Sequence, residues 1–338
     1  MSAVLAGNPD KSLVLVAGRS HPKLASDVAA QLGIDVLETT AYDFANGEIY
    51  VRYTESVRGS DVFVLQTSTS PTNKNIMEQL IMIDALKRAS ARSVTAVCPL
   101  MPYCRQDKKH LGREPISSRL MCDLLKTAGA NRIVSVDLHA SQSQGFFDGP
   151  VDHLAAMPVL IDYVRAKMDL DNISVVSPDA GRIRVAEQWA HRLGGGPLAF
   201  VHKTHDITRA NHVTSNRVVG DVEGKDCVLV DDLIDTGGTI AGACRVLKDS
   251  GAKSVTIVAT HGVFSEPCIE RLKNCGAREV IVTDTVPISE EKRWDGLTVL
   301  SIAPLLADAI KAVFANGSMA DLFETYPANH KEQGIVYA

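Results

Sequence analysis

Three acids and a glycine- and threonine-rich segment form the part of the chain best suited to chemistry. The apolar run 228–230 leads into Asp231 and Asp232, a third acid follows at Asp235, and residues 240–249 have a helical pattern. The backbone amides of such a loop, together with the start of the helix, can cradle a phosphate. The two adjacent acids would then lie beside the hydroxyl groups of a sugar. The predicted sugar-phosphate site comprises Asp231, Asp232, Asp235, Thr236, Gly237, Gly238 and Thr239.

A solvated acidic turn at the start of a helix is the plain alternative interpretation of this segment. Three carboxylates within five residues repel one another, however, unless a cation or a polyol offsets their charge. Gly237 and Gly238 would also let the backbone approach a ligand closely. We therefore expect a phosphorylated sugar here, although the segment alone does not determine which reaction that sugar undergoes.

Length and composition limit the classes of protein to which the chain can belong. With 338 residues, of which 45% are apolar, the chain suits two hydrophobic cores. Its net charge of −5 argues against a nucleic-acid partner. The seven cysteines include no C-x-x-C pair, which is typical of reduced, mostly buried thiols in the cytoplasm. Without a long apolar run or a signal-peptide pattern, we expect a cytoplasmic protein with no membrane partner.

The elements that must position the site form an α/β pattern that occurs twice. Short apolar runs alternate with segments of helical period, which predicts parallel sheets flanked by helices. Glycine and proline at 149, 150 and 158 mark a boundary, so we expect two domains, 12–155 and 156–324. Three segment pairs match in the same order, namely 59–64 with 224–229, 84–97 with 245–258, and 129–137 with 276–284.

The first copy lacks the acids and glycines of the second. Residues 66–71 stand where the second copy has its acidic loop, so the sugar-phosphate site belongs to the second domain. The first domain instead carries a basic loop, 103–109, after a strand and two prolines. Loops at the carboxyl ends of strands are where α/β sheets bind ligands, and Arg105 and Lys108 suit a polyphosphate.

Three further polar segments are open to both a functional and a structural interpretation. Residues 44–48 read as a tight turn preceded by an aromatic ring, and a simple hairpin turn would look the same. His139 and Asp179 each follow a predicted strand, as the ligands of a water-rich Mg²⁺ site would, although a lone histidine there is often structural. Neither a Walker phosphate-binding loop nor a dinucleotide-binding fingerprint is present.

In combination, these segments resemble those of the class I ribose-phosphate diphosphokinases, over residues from about 12 to 324. The resemblance implies two similar phosphoribosyltransferase-type domains, an ATP-contributing 12–155 and a ribose-5-phosphate-binding 156–324. It also implies transfer of the β,γ-diphosphoryl group of MgATP to O1 of ribose 5-phosphate. The products would be AMP and 5-phosphoribosyl 1-diphosphate, the latter for nucleotide, histidine and tryptophan biosynthesis. Two Mg²⁺ ions and a homo-hexamer built from dimers are implied as well.

The same resemblance assigns roles to individual residues. Lys203, after His202, would be catalytic, and His205 would contact ribose 5-phosphate. His139 and Asp179 would hold magnesium. The ATP site would comprise Phe44, Asn46, Gly47, Glu48, Arg105, Gln106 and Asp107. A regulatory site for phosphate as activator and ADP as inhibitor would comprise Ser56, Arg58, Ser90, Arg113 and Ser318.

The chain departs from the family pattern in two places. The family's catalytic loop reads Lys-x-Arg, whereas histidine occupies the arginine position here, at 205. Ala320 stands where a second serine is common in the regulatory segment. Two other functions therefore stay open from the sequence: a phosphoribosyltransferase, which would not need ATP, and a non-catalytic regulatory homologue of the synthase. An α/β nucleotide-binding protein without phosphoribosyl chemistry would leave 231–239 unexplained.

Overall fold

A computed structural model describes residues 5–8, 11–204, 215–319 and 322. The described chain forms two compact units. Unit 1 takes the chain up to Ala156 and adds Thr285–Pro287 and the described part of Ser301–Tyr326. Unit 2 takes Met157–Asp284 and Ile288–Leu300. The change of unit after Ala156 lies at the expected boundary, while the last helix belongs with the first unit. The division into domains 12–155 and 156–324 stays a prediction.

The strands and helices alternate along most of the described chain. The strands are β1 Leu5–Asn8, β2 Lys11–Ala17, β3 Thr39–Asp43, β4 Ile49–Tyr53, β5 Asp61–Leu65, β6 Ser93–Cys98, β7 Arg132–Val136, β8 Val151–Leu154, β9 Ile173–Ser177, β10 Leu198–Thr204, β11 Ser215–Val219, β12 Asp226–Ile234, β13 Ser254–Gly262, β14 Glu279–Thr283 and β15 Leu297–Leu300. The helices are α1 Pro22–Leu32, α2 Thr72–Arg88, α3 Ser117–Ala128, α4 Met157–Lys167, α5 Ile183–Arg192, α6 Gly238–Asp249, α7 Cys268–Lys273 and α8 Ala303–Ala315.

Each unit is built on one mostly parallel sheet. In the six-stranded sheet of unit 1 the strand order is β1-β2-β5-β6-β7-β8, and among its described strands the pairs are parallel except β1–β2. Strands β3 and β4 form a separate antiparallel hairpin. In unit 2 the strand order is β11-β10-β9-β12-β13-β14-β15, and only the β10–β11 pair is antiparallel. The order β2-β5-β6-β7-β8 recurs as β9-β12-β13-β14-β15. The predicted α/β fold with two similar units is therefore confirmed.

The central strands are apolar because they are covered on both faces. Every residue of β5 and of β9 is buried, as expected for strands in the middle of a parallel sheet. The unit 2 core joins residues of β9, β12 and β13 to α6, with Leu229, Leu247 and Ile257 all 0% exposed. All seven cysteines are buried, which agrees with the prediction of mostly buried cysteines. No helix in the described part of the chain is long and apolar enough to cross a membrane.

Strand β12 is longer than the sequence predicted. The apolar run 228–230 was expected to end at the acids, but the strand continues through Asp231 and Asp232 to Ile234. The acids stay in the ladder because β13 is equally long and pairs with this extension, with Asp231 opposite Ala259. The acids therefore occupy a rigid strand end rather than a turn.

Candidate active site

The predicted phosphate loop lies between β12 and α6 in unit 2. Helix α6 begins at Gly238, and Gly237 precedes it in the left-handed conformation with φ of 71°. A Cβ atom built on Gly237 would lie 2.8 Å from the Cys268 sulfur, closer than such contacts occur. Both the backbone angle and the space thus require glycine here. Gly237 provides no side-chain cap for the first amides of α6, which leaves this helix start available for an anion.

An arginine that the sequence analysis did not assign lies beside the two acids. Arg182 Nη2 donates to Asp232 Oδ2 at 2.5 Å, and Arg182 Nε lies 3.7 Å from Asp231 Oδ1. Both carboxylates are only 13% exposed. Since two adjacent, largely buried carboxylates repel each other, the guanidinium stabilises them by offsetting part of their charge.

The environment of Asp231 changes its acidity. Burial, followed by the hydrogen bond and the charge of Asp232, raises the pKa of Asp231 above the ordinary range of a carboxyl group. The Asp232 amide, which donates to Asp231 Oδ1 at 2.8 Å, and the charge of Arg182 oppose this rise only in part. Asp231 therefore keeps its proton to higher pH than an exposed aspartate does.

The raised pKa predicts a pH-dependent gain in stability for Asp231→Asn. A carboxyl group with a raised pKa binds more protons in the folded than in the unfolded state, so stability falls as pH rises from the ordinary pKa through the raised one. Without divalent cations or substrates, the variant should exceed the wild type in melting temperature by more at about pH 9 than at about pH 5. Thermal melts at both pH values test this. Asp84→Asn, at an exposed pair with Arg88, is the control, and an equal difference at both pH values would contradict the prediction.

A second unassigned arginine supports the phosphate loop from α7. Arg271 Nη1 donates to the Thr236 carbonyl oxygen at 2.9 Å. The same nitrogen lies 3.4 Å from a Cβ built on Gly238, so the guanidinium stands at the start of α6. Cys268, on the same short helix, fills the space beneath Gly237. Burial raises the pKa of Cys268 to about 12, so its thiol stays protonated and serves as packing.

In unit 1, residues 44–48 form the turn of the β3–β4 hairpin. The Phe44 amide donates to the Glu48 carbonyl at 2.7 Å, and Gly47, with φ of 89°, donates to the Phe44 carbonyl at 2.8 Å. Asn46 Oδ1 accepts from the Glu48 amide at 3.2 Å. The ring of Phe44 is 46% exposed. The structural interpretation of this segment as a hairpin turn is thus correct, and its exposed aromatic ring remains available for a ligand.

The predicted basic loop lies at the carboxyl end of β6. Gln106 Oε1 accepts from the Ser117 hydroxyl at 2.7 Å, which ties the loop to the start of α3. Asp107 is buried and accepts from Gln142 Nε2 at 3.5 Å. Arg105 is exposed. Gln142 belongs to the segment after β7, which also carries the half-buried His139. The structure therefore places the Arg105 and His139 segments side by side at one end of the unit 1 sheet.

The structure describes the remaining predicted catalytic and metal-binding residues only in part. Asp179 follows β9 in unit 2, where its Oδ1 accepts from the Gly181 amide at 2.8 Å and orients the carboxylate. His139 lies in unit 1. The backbone of Lys203 belongs to β10, opposite Asn216 of β11. His205 lies outside the described residues, as do the residues that follow it up to 214. No cluster of three or more metal-ligating side chains occurs in the described ranges.

Three of the predicted regulatory residues are neighbours in unit 1. Arg58 Nη1 donates to the Ser90 hydroxyl at 3.2 Å, and the Arg58 amide approaches Ser56 Oγ at 3.5 Å. Ser90 adopts a positive φ of 65° after α2. Arg113 lies in the loop before α3, and Ser318 lies beyond the end of α8. Their common role stays a prediction.

Comparisons with known proteins cover both halves of the chain. Residues 13–129 match the family described as the N-terminal domain of ribose phosphate pyrophosphokinase. Residues 210–324 match the phosphoribosyl synthetase-associated domain. The chain is 78% identical to the ribose-phosphate pyrophosphokinase of Bifidobacterium longum over 340 residues, with 100% of both chains covered. It is 66% identical to that of Corynebacterium efficiens, over 93% of this chain and 96% of the relative.

A solved structure agrees with this similarity. The crystal structure of phosphoribosylpyrophosphate synthetase from Mycobacterium smegmatis superimposes with a TM-score of 0.86 at 63% sequence identity. The match covers 90% of this chain and 99% of that chain.

Proposed function

Because the chain belongs to the ribose-phosphate pyrophosphokinase family, we propose that it makes 5-phosphoribosyl 1-diphosphate from ATP and ribose 5-phosphate. One structural observation supports assigning ribose 5-phosphate binding to particular residues of this chain. In unit 2, a rigid strand end presents Asp231 and Asp232 next to a glycine loop and an uncapped helix start. This arrangement provides hydrogen-bond acceptors for ribose hydroxyls beside amide donors for a phosphate. The sugar-phosphate residues 231–239 thus bind ribose 5-phosphate.

The reaction is a transfer of the β,γ-diphosphoryl group. The O1 oxygen of the sugar forms a bond to the β-phosphorus of ATP and loses its proton. The bond from that phosphorus to the α,β-bridging oxygen breaks, and AMP leaves with the oxygen. Little covalent work is asked of the protein, so positioning and charge neutralisation dominate. Lys203 and Arg105 are the cations that we assign to the transferred group, and Phe44, Asn46, Gly47, Glu48, Gln106 and Asp107 complete the nucleotide site.

Magnesium enters with ATP, and we propose that two ions are bound in the complete site, with His139 of unit 1 and Asp179 of unit 2 each serving as a magnesium ligand. A site with few protein ligands suits an ion that keeps several of its waters. The Asp179 carboxylate fits this role because the Gly181 amide fixes its orientation and a carboxylate can accept several bonds at once. When bound, magnesium would neutralise charge on the polyphosphate. We also propose a homo-hexamer. Phosphate and ADP would act as effectors at the predicted regulatory site, which comprises Ser56, Arg58, Ser90, Arg113 and Ser318.

Arg271 is expected to contribute to the affinity for ribose 5-phosphate. Its guanidinium holds the Thr236 carbonyl and places a positive charge at the start of α6, where the 5-phosphate would bind. A hydrogen bond to a charged group contributes about 1.5–3 kcal/mol, so Arg271→Ala should raise the KM for ribose 5-phosphate roughly ten- to hundredfold. The KM for ATP should change by less than about twofold. Lys273→Ala, at an exposed position of the same helix, is the matched control.

The proposed function is tested by ³¹P NMR of the purified protein with MgATP and ribose 5-phosphate in phosphate buffer. AMP together with a new anomeric diphosphate is the expected result. A protein that makes neither product, but stimulates an active synthase, would be a regulatory homologue. ADP as the sole nucleotide product would show a different class of phosphoryl transfer. Turnover of 5-phosphoribosyl 1-diphosphate with a base, without ATP, would indicate a phosphoribosyltransferase.

A further inference from the structure

The β3–β4 hairpin is attached to the body of unit 1 at both of its ends. At the open end, the Tyr53 hydroxyl donates to the Met82 carbonyl of α2 at 3.0 Å. At the turn end, Asp43 directly precedes Phe44 and accepts from two cations. Arg19 Nη2 lies 2.8 Å from Asp43 Oδ1, and Lys74 Nζ lies 2.5 Å from Asp43 Oδ2. Arg19 follows β2 and Lys74 belongs to α2, so the two cations reach the hairpin from different elements.

Arg19 is itself fixed by a buried acid. Glu78 of α2 is 0% exposed. Its Oε1 accepts from the Arg19 amide at 2.6 Å, and its Oε2 accepts from Arg19 Nε at 2.5 Å. Gln66 Nε2 donates to Glu78 Oε1 at 3.1 Å, so the buried carboxylate is well satisfied. One side of the guanidinium therefore faces the buried acid while the other side faces Asp43.

We propose that Asp43, held between Arg19 and Lys74, is a positioning residue that sets the orientation of the 44–48 turn for binding ATP. The inference rests on the proposed function, since it assumes that the turn contacts the nucleotide. It assigns a purpose to three residues, Asp43, Arg19 and Lys74, that lie outside the predicted nucleotide site.

The contacts of Asp43 pre-organise the hairpin turn. An isolated exposed ion pair contributes little, because two long side chains must be ordered to form it. Here Glu78 has already ordered Arg19, so Asp43 meets a cation that is in place before the hairpin docks. The hydrogen bonds from Lys74 and Arg19 lower the pKa of Asp43, which keeps this carboxylate ionised at neutral pH. A turn held in its binding orientation needs less ordering when the nucleotide arrives.

Asp43→Asn tests this inference without disturbing the buried pair of Arg19 and Glu78. The variant should raise the KM for ATP about five- to tenfold and change the KM for ribose 5-phosphate by less than about twofold. Amide hydrogen exchange should become faster at residues 44–48 but not in β5. Asp43→Glu, which keeps the charge, should recover part of the loss. Asp27→Asn, at an exposed pair with Lys23, is the matched control and should leave all these quantities unchanged.

Phe44→Ala serves as the reference for the turn itself. If Phe44→Ala raises the KM for ATP while Asp43→Asn leaves both KM and hydrogen exchange unchanged, the positioning role of Asp43 is wrong and the proposed function stands. If neither variant alters the KM for ATP in an active enzyme, the turn does not contact the nucleotide and the inference is overturned. A wild-type protein that makes no product would instead overturn the proposed function.

Discussion

Gly237→Ala should raise the KM for ribose 5-phosphate by about tenfold or more. The new side chain would have to hold a φ of 71°, which costs an alanine roughly 1–2 kcal/mol. Its Cβ would also lie 2.8 Å from the Cys268 sulfur, so α7 or the loop must shift. Either shift moves the amides that would cradle the 5-phosphate. Steady-state kinetics with varied ribose 5-phosphate, together with a thermal melt, measure the effect.

Gly242→Ala provides the control for this substitution within the same helix. A Cβ built on Gly242 meets no atom within 4 Å, and its backbone is ordinary helix. Alanine is favoured over glycine in a helix by about 0.5–1 kcal/mol, so this variant should be as active as the wild type and slightly more stable. Equal KM values for the two variants would show that the loop does not depend on the conformation of Gly237.

Lys203→Ala is expected to lower kcat by about 10²–10³, which is the loss seen when a charge-stabilising donor is removed from a transition state. Negative charge develops on the transferred diphosphoryl group and on AMP, and an ammonium group near them would stabilise the transition state more than the bound substrates. Lys203 lies on β10, whose neighbour β9 leads into Asp179. The KM values should change much less than kcat.

Lys225→Ala is a suitable control for the loss of a lysine from unit 2. Lys225 directly precedes β12, at the end of the sheet away from the acids and the glycine loop. Its removal should leave kcat within about twofold of the wild type. A kcat for Lys203→Ala that matches this control would exclude a catalytic role for Lys203.

Much of the site could be predicted because its residues are adjacent in the sequence. The acids, the glycines and the helix start all lie between 228 and 249, and strand, loop and helix follow in that order in the structure. Even in this segment, the sequence predicts an earlier end for β12 than the structure has. The apolar pattern ends at Val230, whereas pairing with β13 holds the strand to Ile234.

The cationic side chains that contact the acids and the loop were harder to predict, because they are distant from these partners in the sequence. Arg182 lies 50 residues from Asp232, and Arg271 lies 35 residues from Thr236. Arg182 lies three residues after Asp179, and this proximity is the one local signal for its role. Arg19 and Lys74, the two cations that contact Asp43, lie 24 and 31 residues from it in the sequence. Nothing in the local pattern distinguishes Arg19 from a surface arginine.

The difference in length between β5 and β12 indicates how two copies of one scaffold can diverge. Strand β5 ends at Leu65, whereas the equivalent strand β12 runs four residues further to Ile234, or roughly 13 Å at the usual rise of a strand. The acids lie on that extension, beyond the part that both copies share. Trimming or extending a strand tip leaves the buried layers intact, so such a scaffold can lose or acquire a ligand without refolding its core. In this architecture, a change of ligand therefore arises most readily at the carboxyl ends of the strands.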